Sequence, residues 1–144
     1  MFESSIGLAI LALAASLMSP VAADPLVVGR ATYYNPPWMQ EAYANRLAWG
    51  QVEPCPECVG MVALLDPEYI GRHVWLQRPG MDPEGPFLVV DCAQRDHFVE
   101  RERQGRIVEV SAEVAQAHGF FEVGPVDVGV WFVEPPWLRN VKER

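Results

Sequence analysis

Two apolar segments that each carry a single carboxylate constrain this chain more than any other feature. Residues 87–92 (FLVVDC) contain Asp91, and residues 106–110 (RIVEV) contain Glu109. Both segments are rich in β-branched residues, which favours strands. A carboxylate in an apolar strand is costly to bury unless it is hydrogen-bonded or retained for chemistry. The pair therefore predicts a cleft for acid–base work or polar recognition. The alternative, which the spacing alone favours, is that both carboxylates lie on solvated strand faces.

The remaining pattern predicts a small all-β barrel. Six short strands are predicted, over residues 27–34, 61–65, 73–78, 87–92, 106–110 and 126–133. Asp66 and Pro67 predict one helical turn, and Ser111 predicts the start of a helix that ends before Gly119. The segments 35–60 and 94–104 are predicted to be irregular loops. Many short strands with one or two short helices are typical of a closed barrel.

The N-terminus resembles an export signal. Residues 6–18 form an apolar run that is too short to span a bilayer, and small residues follow before Asp24. The first five residues lack Lys and Arg and include Glu3, so only the α-amino group supplies a positive charge there. The pattern predicts a signal peptide at 1–23 and one domain at 24–144. An uncleaved anchor or a misassigned start codon is the alternative.

Composition excludes several classes of partner. Half of the residues are hydrophobic and 21% are charged, which is typical of a globular protein. The 11 basic and 19 acidic residues give a formal net charge of −8. This acidic balance argues against nucleic acid and against a mainly electrostatic grip on anionic polymers or lipid surfaces. A neutral or mixed-charge partner would have to be held by stacking and hydrogen bonds.

The three cysteines allow three kinds of chemistry. In an exported chain, Cys55, Cys58 and Cys92 predict one disulfide and one leftover thiol. The preferred pair is Cys58 with Cys92, ahead of Cys55 with Cys92, because either bond would tie the loop 35–60 to a strand end. Alternatively, the C-x-x-C pair could bind zinc with Cys92 and His97. A redox-active C-x-x-C is the third alternative, although no helix is predicted after Cys55 to lower a thiol pKa.

Strand alternation places two tryptophans away from the aliphatic core. In the last strand, alternate valines share one face and Trp131 lies on the other. In the third strand, Trp75 lies opposite Val74 and Leu76. Indole rings exposed beside polar groups suit stacking on sugar rings. The alternative is that both rings cover the barrel ends or a neighbouring loop.

Five segments occur in an order that is similar to a known family. They are 29–34 (GRATYY), 69–76 (YIGRHVWL), 89–91 (VVD), 105–112 (GRIVEVSA) and 126–132 (VDVGVWF). Together they resemble the double-psi β-barrel domain of the rare-lipoprotein-A-like proteins and, more distantly, the expansins. The resemblance spans 28–133. It implies an all-β, six-stranded double-psi barrel.

The chain departs from that family where activity would reside. Asp91 is followed by Cys-Ala-Gln instead of Arg-Gly-Pro, and 18 residues separate it from Glu109 where the family has about a dozen. Glu109 also stands where the family has its catalytic Asp. The longer side chain moves the carboxylate about one carbon–carbon bond outward, and a shift of about 1 Å can cost about a hundredfold in rate. Fold therefore transfers more securely than activity.

The resemblance implies a secreted protein that acts on cell-wall glycan. If it is an enzyme, the implied reaction is lytic transglycosylation of peptidoglycan, with Glu109 protonating the glycosidic oxygen and then accepting the muramoyl 6-hydroxyl proton. Asp91 would orient the substrate and act on Glu109 as a nearby negative charge. The residues expected to contact the glycan are Tyr34, Trp75, Trp131 and His97.

Two other functional classes stay open. One is a non-catalytic, expansin-like binder or loosener of the wall, in which both carboxylates only hydrogen-bond sugar hydroxyls. The other is a barrel scaffold that binds a protein or a zinc ion through the loop 35–60. In the glycan interpretation we expect a polysaccharide partner, no cofactor, no membrane span once the signal is removed, and a monomer.

Overall fold

A closed barrel forms the body of the protein in the computed structural model, which describes residues 26–35, 37–119, 124–135 and 138. Its strands are β1 (Leu26–Tyr33), β2 (Gly60–Leu64), β3 (His73–Gln77), β4 (Glu84–Cys92), β5 (Arg106–Val110) and β6 (Val126–Trp131). They close in the order β1-β5-β2-β4-β3-β6. The predicted fold class, a small six-stranded β-barrel, is confirmed. The predicted signal peptide at 1–23 lies outside the described residues.

The barrel interior follows the predicted alternation. β1 pairs with β5 and β2 with β4 in parallel, and the other neighbours are antiparallel. Val74 and Leu76 point inward from β3, and Val128 and Val130 point inward from β6. β-branched side chains fill the pleated inner surface well, which is why the strand sequences carry so much valine. Outward-facing residues of the strands, such as Ala63, Leu88 and Val90, belong to a second cluster of buried residues outside the barrel.

The first segment predicted to be a loop contains a helix instead. Within 35–60, α1 (Trp38–Ala48) packs on an outer cluster of buried residues. This outer cluster consists of Met39, Val52, Ala63, Leu88 and Val90. Met39, Tyr43 and Leu47 recur every four residues, which puts them on one helical face. The prediction was wrong because Pro36 and Pro37 were interpreted as a stop, whereas a proline is also tolerated where a helix begins.

The second segment predicted to be a loop is also helical. α2 (Arg95–Arg103) has no buried residue, so it lacks the apolar stripe by which helices are recognised. Its signal is the order of charges, with Asp96 in the first turn and Arg101 and Arg103 in the last. That order complements the helix dipole.

The short helical elements begin where their caps predict. Asp66 accepts a hydrogen bond from Glu68 N at 2.8 Å and starts the 3-10 helix Pro67–Tyr69. Ser111 Oγ accepts from Val114 N at 3.5 Å and starts α3 (Ala112–Ala117). Over the described part of the chain, every helix is too short or too polar to cross a membrane.

The cysteine pairing differs from the prediction. Cys55 and Cys58 are bonded to each other, and Cys92 is a free thiol. Both predicted bonds to Cys92 are therefore wrong. Val59 N donates to Pro86 O at 2.9 Å, so the cysteine turn lies near the start of β4, whereas Cys92 ends that strand. The six residues from Phe87 to Cys92 span about 20 Å, which no disulfide bridges.

Candidate functional site

Asp91 and Glu109 lie in one transverse row of the sheet. β2 lies between β4 and β5, and its residue Ala63 pairs with Asp91 on one side and Glu109 on the other. Thr32 of β1 pairs with Glu109 and extends the row. Two strand spacings separate the carboxylate-bearing residues, which corresponds to about 10 Å between Cα atoms. Both residues line one open groove of about 740 Å³, bounded by α1 and α2.

A bulge in β4 turns Asp91 towards the groove. Phe87 and Val89 face the barrel interior, and strict alternation would send Asp91 inward as well. The register shifts here, since Val62 pairs with Val89 but the next residue, Ala63, pairs with Asp91. The extra residue on β4 resets the phase of the strand. Asp91 thereby shares the outer face with Ala63.

Glu109 is buried between two arginines. Its side chain is 8% exposed, and Oε2 lies 2.8 Å from Arg101 Nη1. Oε1 lies 3.4 Å from Arg106 Nη2 and accepts from Thr32 Oγ1 at 3.3 Å. Within the described residues Oε2 makes no hydrogen bond, because the Arg101 contact is an ion pair without hydrogen-bond geometry. Two guanidinium groups thus neutralise the carboxylate, and its Oε2 is enclosed beside Arg101 with almost no exposure to solvent.

Asp91 is held on the α1 side of the groove. Its Oδ1 lies 3.2 Å from Arg46 Nη2, and its Oδ2 accepts from the Tyr34 hydroxyl at 3.1 Å. Burial raises the pKa of Tyr34, and the negative charges of Asp91 and Glu109 raise it further. The phenol therefore stays protonated and keeps donating. Tyr34, a predicted ligand contact, lines the groove with both carboxylates.

Two tryptophans that the sequence interpretation missed line the groove. Trp38 begins α1 and is 60% exposed, while Trp49 directly follows the helix and is 64% exposed. Trp49 lies eleven positions after Trp38, which corresponds to about 16 Å along the helix axis. The Arg46 guanidinium carbon lies 5.6 Å from the Trp49 ring centroid and links that ring to Asp91. They were missed because the helix between them was predicted to be a loop.

The predicted platforms Trp75 and Trp131 lie elsewhere. They pair with each other across β3 and β6, and neither lines the groove. Trp131 Nε1 donates to Gln77 Oε1 at 3.0 Å. Trp75 packs on Gly85, where an added Cβ would come within 2.6 Å of the indole. Alternation placed both rings on the outer face correctly, but β3 and β6 lie across the barrel from β2 and β5.

His97 and Cys92 also reach the groove. His97, a predicted ligand contact, lies on α2 and is exposed. Cys92 follows Asp91, and burial together with that carboxylate raises the pKa of its thiol. The thiol therefore stays protonated and is a poor nucleophile. Because both residues lie near the end of β4, the predicted zinc set that joined them to Cys55 and Cys58 does not assemble.

The charges along the groove balance. Among the residues that the structure describes, three acids and three arginines line it: Glu41, Asp91, Glu109, Arg46, Arg101 and Arg106. A strongly charged ligand would gain little net attraction from such a lining. Fixed donors and acceptors between exposed indoles instead suit an uncharged, hydroxyl-rich molecule.

Comparisons with known proteins identify no relative. The chain matches no protein-family model, no curated protein and no solved structure. The resemblance to rare-lipoprotein-A-like barrels thus remains a hypothesis based on the five ordered segments. Function is inferred from the geometry of the groove.

Proposed function

We propose that the groove binds the uncharged, hydroxyl-rich sugar backbone of a polymer and that the protein is an exported binder of cell-wall glycan. The observation that carries this proposal is the placement of Trp38 and Trp49 beside two arginine-paired carboxylates in one open groove. Indole faces stack on sugar rings. Carboxylate and guanidinium groups that hold each other in place offer fixed acceptors and donors to neighbouring hydroxyls.

The ion pairs favour binding over cleavage. A general acid must carry a proton, whereas Glu109 lies against two guanidinium groups that stabilise a carboxylate. Asp91 is likewise paired with Arg46. Both side chains are therefore held in place by ion pairs, which suits fixed recognition of sugar hydroxyls better than proton transfer.

Lytic transglycosylation is the second candidate, and one observation favours it. Glu109 shares the groove with Asp91, and its buried Oε2 makes no hydrogen bond to any described residue. Cleavage would need Arg101 to withdraw so that Glu109 could carry a proton. Glu109 would then protonate the glycosidic oxygen and, as a carboxylate, take the 6-hydroxyl proton as the anhydro ring closes.

Two features support export. The Cys55–Cys58 disulfide is compatible with an oxidising compartment. The apolar run at 6–18, followed by small residues, is typical of a secretory signal. An exported protein meets wall polymers directly.

The test is co-sedimentation of the protein lacking residues 1–23 with insoluble peptidoglycan and, in parallel, with cellulose. Trp38→Ala and Trp49→Ala should each weaken binding about tenfold, since losing a stacked ring costs about 1.4 kcal/mol. Trp131→Ala, which removes an indole outside the groove, should leave affinity unchanged. Circular dichroism of each variant checks that the fold is retained.

Two outcomes would contradict the proposal. One is unchanged affinity in both α1 variants, and the other is an equal loss in Trp131→Ala. Mass spectrometry of the peptidoglycan sample decides between binder and enzyme. Anhydro-muropeptides produced by the wild type but not by Glu109→Gln would establish cleavage, whereas binding without product supports the binder.

A further inference from the structure

We propose that Cys55, Cys58 and His73 form a redox-gated site for a thiophilic divalent metal ion such as Zn²⁺. One ligand atom from each residue, two sulfurs and an imidazole nitrogen, lie within 4.8 Å of one another. None of the three residues lines the groove. The site is therefore separate from the proposed glycan-binding function and does not depend on it.

The fold brings the three residues together at the start of β4. Cys58 N donates to Cys55 O at 3.1 Å, so both sulfurs project from one tight turn. Both cysteines pack against the outer cluster, which includes Leu88. His73 pairs with Leu88 across β3 and β4, and alternation from the inward-facing Val74 puts its side chain on the outer face. The imidazole and the turn thus meet on the same side of the barrel.

The ligand set matches the chemistry of zinc. Two thiolates and one neutral imidazole are three protein ligands of a tetrahedral site whose fourth position is left to water or an external ligand. The His73 imidazole forms no hydrogen bond or ion pair with the rest of the described chain, so its nitrogens are available. All three residues are half-buried, which lets a reductant and an ion reach the sulfurs.

The disulfide acts as the gate. A dithiol reductant delivers two electrons and two protons to the Cys55–Cys58 bond and becomes a cyclic disulfide itself. The two thiols then lose their protons to solvent as they bind the ion, and two thiolates balance the charge of Zn²⁺. The oxidised pair has no thiolate to offer and does not bind.

The experiment compares the same full chain in its oxidised and reduced forms. The protein is reduced anaerobically with a dithiol, which is then removed, and is titrated with Co²⁺ as a spectroscopic substitute for Zn²⁺. We expect thiolate-to-cobalt charge-transfer absorption that saturates at one equivalent in the reduced protein only. Added Zn²⁺ should abolish that absorption by displacing the cobalt.

Matched variants assign the ligands. His73→Ala should weaken cobalt binding by at least about tenfold. Cys55→Ser should abolish the charge-transfer absorption that arises when both thiolates bind cobalt. Cys92→Ser and His97→Ala should leave the affinity for cobalt unchanged. Circular dichroism of the reduced wild type reports whether the barrel survives reduction.

Four results would overturn the proposal. The first is equal cobalt binding by the oxidised and reduced forms, and the second is binding that depends on Cys92 instead of Cys55. The third is loss of the barrel on reduction, because the fold would then not hold the three ligands together. The fourth is tight cobalt binding that His73→Ala does not weaken. It would show that the two cysteines bind the ion without the imidazole.

Discussion

The two helices that bound the groove are attached to the barrel in different ways. α1 buries Met39, which is 3% exposed, in the outer cluster and packs Leu47 against it. α2 buries no residue, and its Val99 is 71% exposed. Arg101 of α2 forms an ion pair with Glu109 of the barrel. One wall of the groove is thus fixed by apolar packing and the other by charge.

This difference indicates which wall can yield to a ligand. Separating α1 from the barrel would expose its apolar side chains to water, and the free-energy cost rises in proportion to the area exposed. An ion pair can be exchanged for hydrogen bonds to a ligand or water, and salt weakens it where solvent reaches it. We therefore expect α2 to move while α1 stays in place.

The largest effect is expected from Met39→Ala. Removing this buried side chain should lower the free energy of unfolding by about 2–4 kcal/mol, because it leaves a cavity between α1 and the barrel. Urea denaturation measures the change. The matched variant on the other helix, Val99→Ala, should change stability by less than about 0.5 kcal/mol. Similar losses in both would refute the contrast between the walls.

Arg101→Met should loosen the attachment of α2 to the barrel and should lower the free energy of unfolding less than Met39→Ala does. It keeps the aliphatic stem but leaves Glu109 buried with Arg106 as its remaining ion-pair partner among the described residues. We expect a loss of about 1–2 kcal/mol, below the value for a fully buried pair because Arg101 is 23% exposed. Hydrogen–deuterium exchange should quicken at least about tenfold in α2 and not in α1.

Arg103→Met is the control for this release. Arg103 lies on the same helix but pairs with Glu100 at the surface, where its side chain is 75% exposed. Its removal should leave the exchange of α2 close to that of the wild type. Equal acceleration in both variants would show that α2 is not held by Arg101.

The smallest effect concerns Tyr34, on the α1 side. Burial and the neighbouring carboxylates raise its pKa above the ordinary value of 10.0, so above pH 10 the native chain holds a proton that the unfolded chain has lost. The free energy of unfolding must then fall as pH rises, by at most about 1.4 kcal/mol per pH unit for one proton. Tyr34→Phe should make this decline shallower between pH 10 and 11 in urea titrations. Parallel curves for the two proteins would show that the hydroxyl is not held in this environment.

Local rules predicted much of the barrel. The strand over 106–110 and the helix caps at Asp66 and Ser111 were predicted at their observed positions. These features depend on period-two alternation and on hydrogen bonds between residues two or three apart. α1 and α2 were not predicted, for different reasons. Two prolines precede α1 and were interpreted as a loop signal, whereas α2 is so rich in charged residues that it shows no apolar stripe.

The candidate site was only partly predictable. Asp91, Glu109, Tyr34 and His97 were selected from the sequence and do line one groove. The arginines that neutralise the carboxylates were not selected, because nothing along the chain marks a surface arginine as a partner of a distant acid. Arg101 comes from a helix that the apolar pattern did not reveal.

In β3 and β6 the sequence by itself determined which residues face the barrel interior, because Val74, Leu76, Val128 and Val130 alternate with outward-facing residues. Only the tertiary structure decided which outward-facing residues meet. Trp75 and Trp131 face outward like Glu109, yet strand order puts them across the barrel from it. Parallel pairing of β2 with β4 likewise places the cysteine turn about 20 Å from Cys92 and beside His73 instead. Outward-facing positions look alike along the chain, and they are distinguished only by strand order and register.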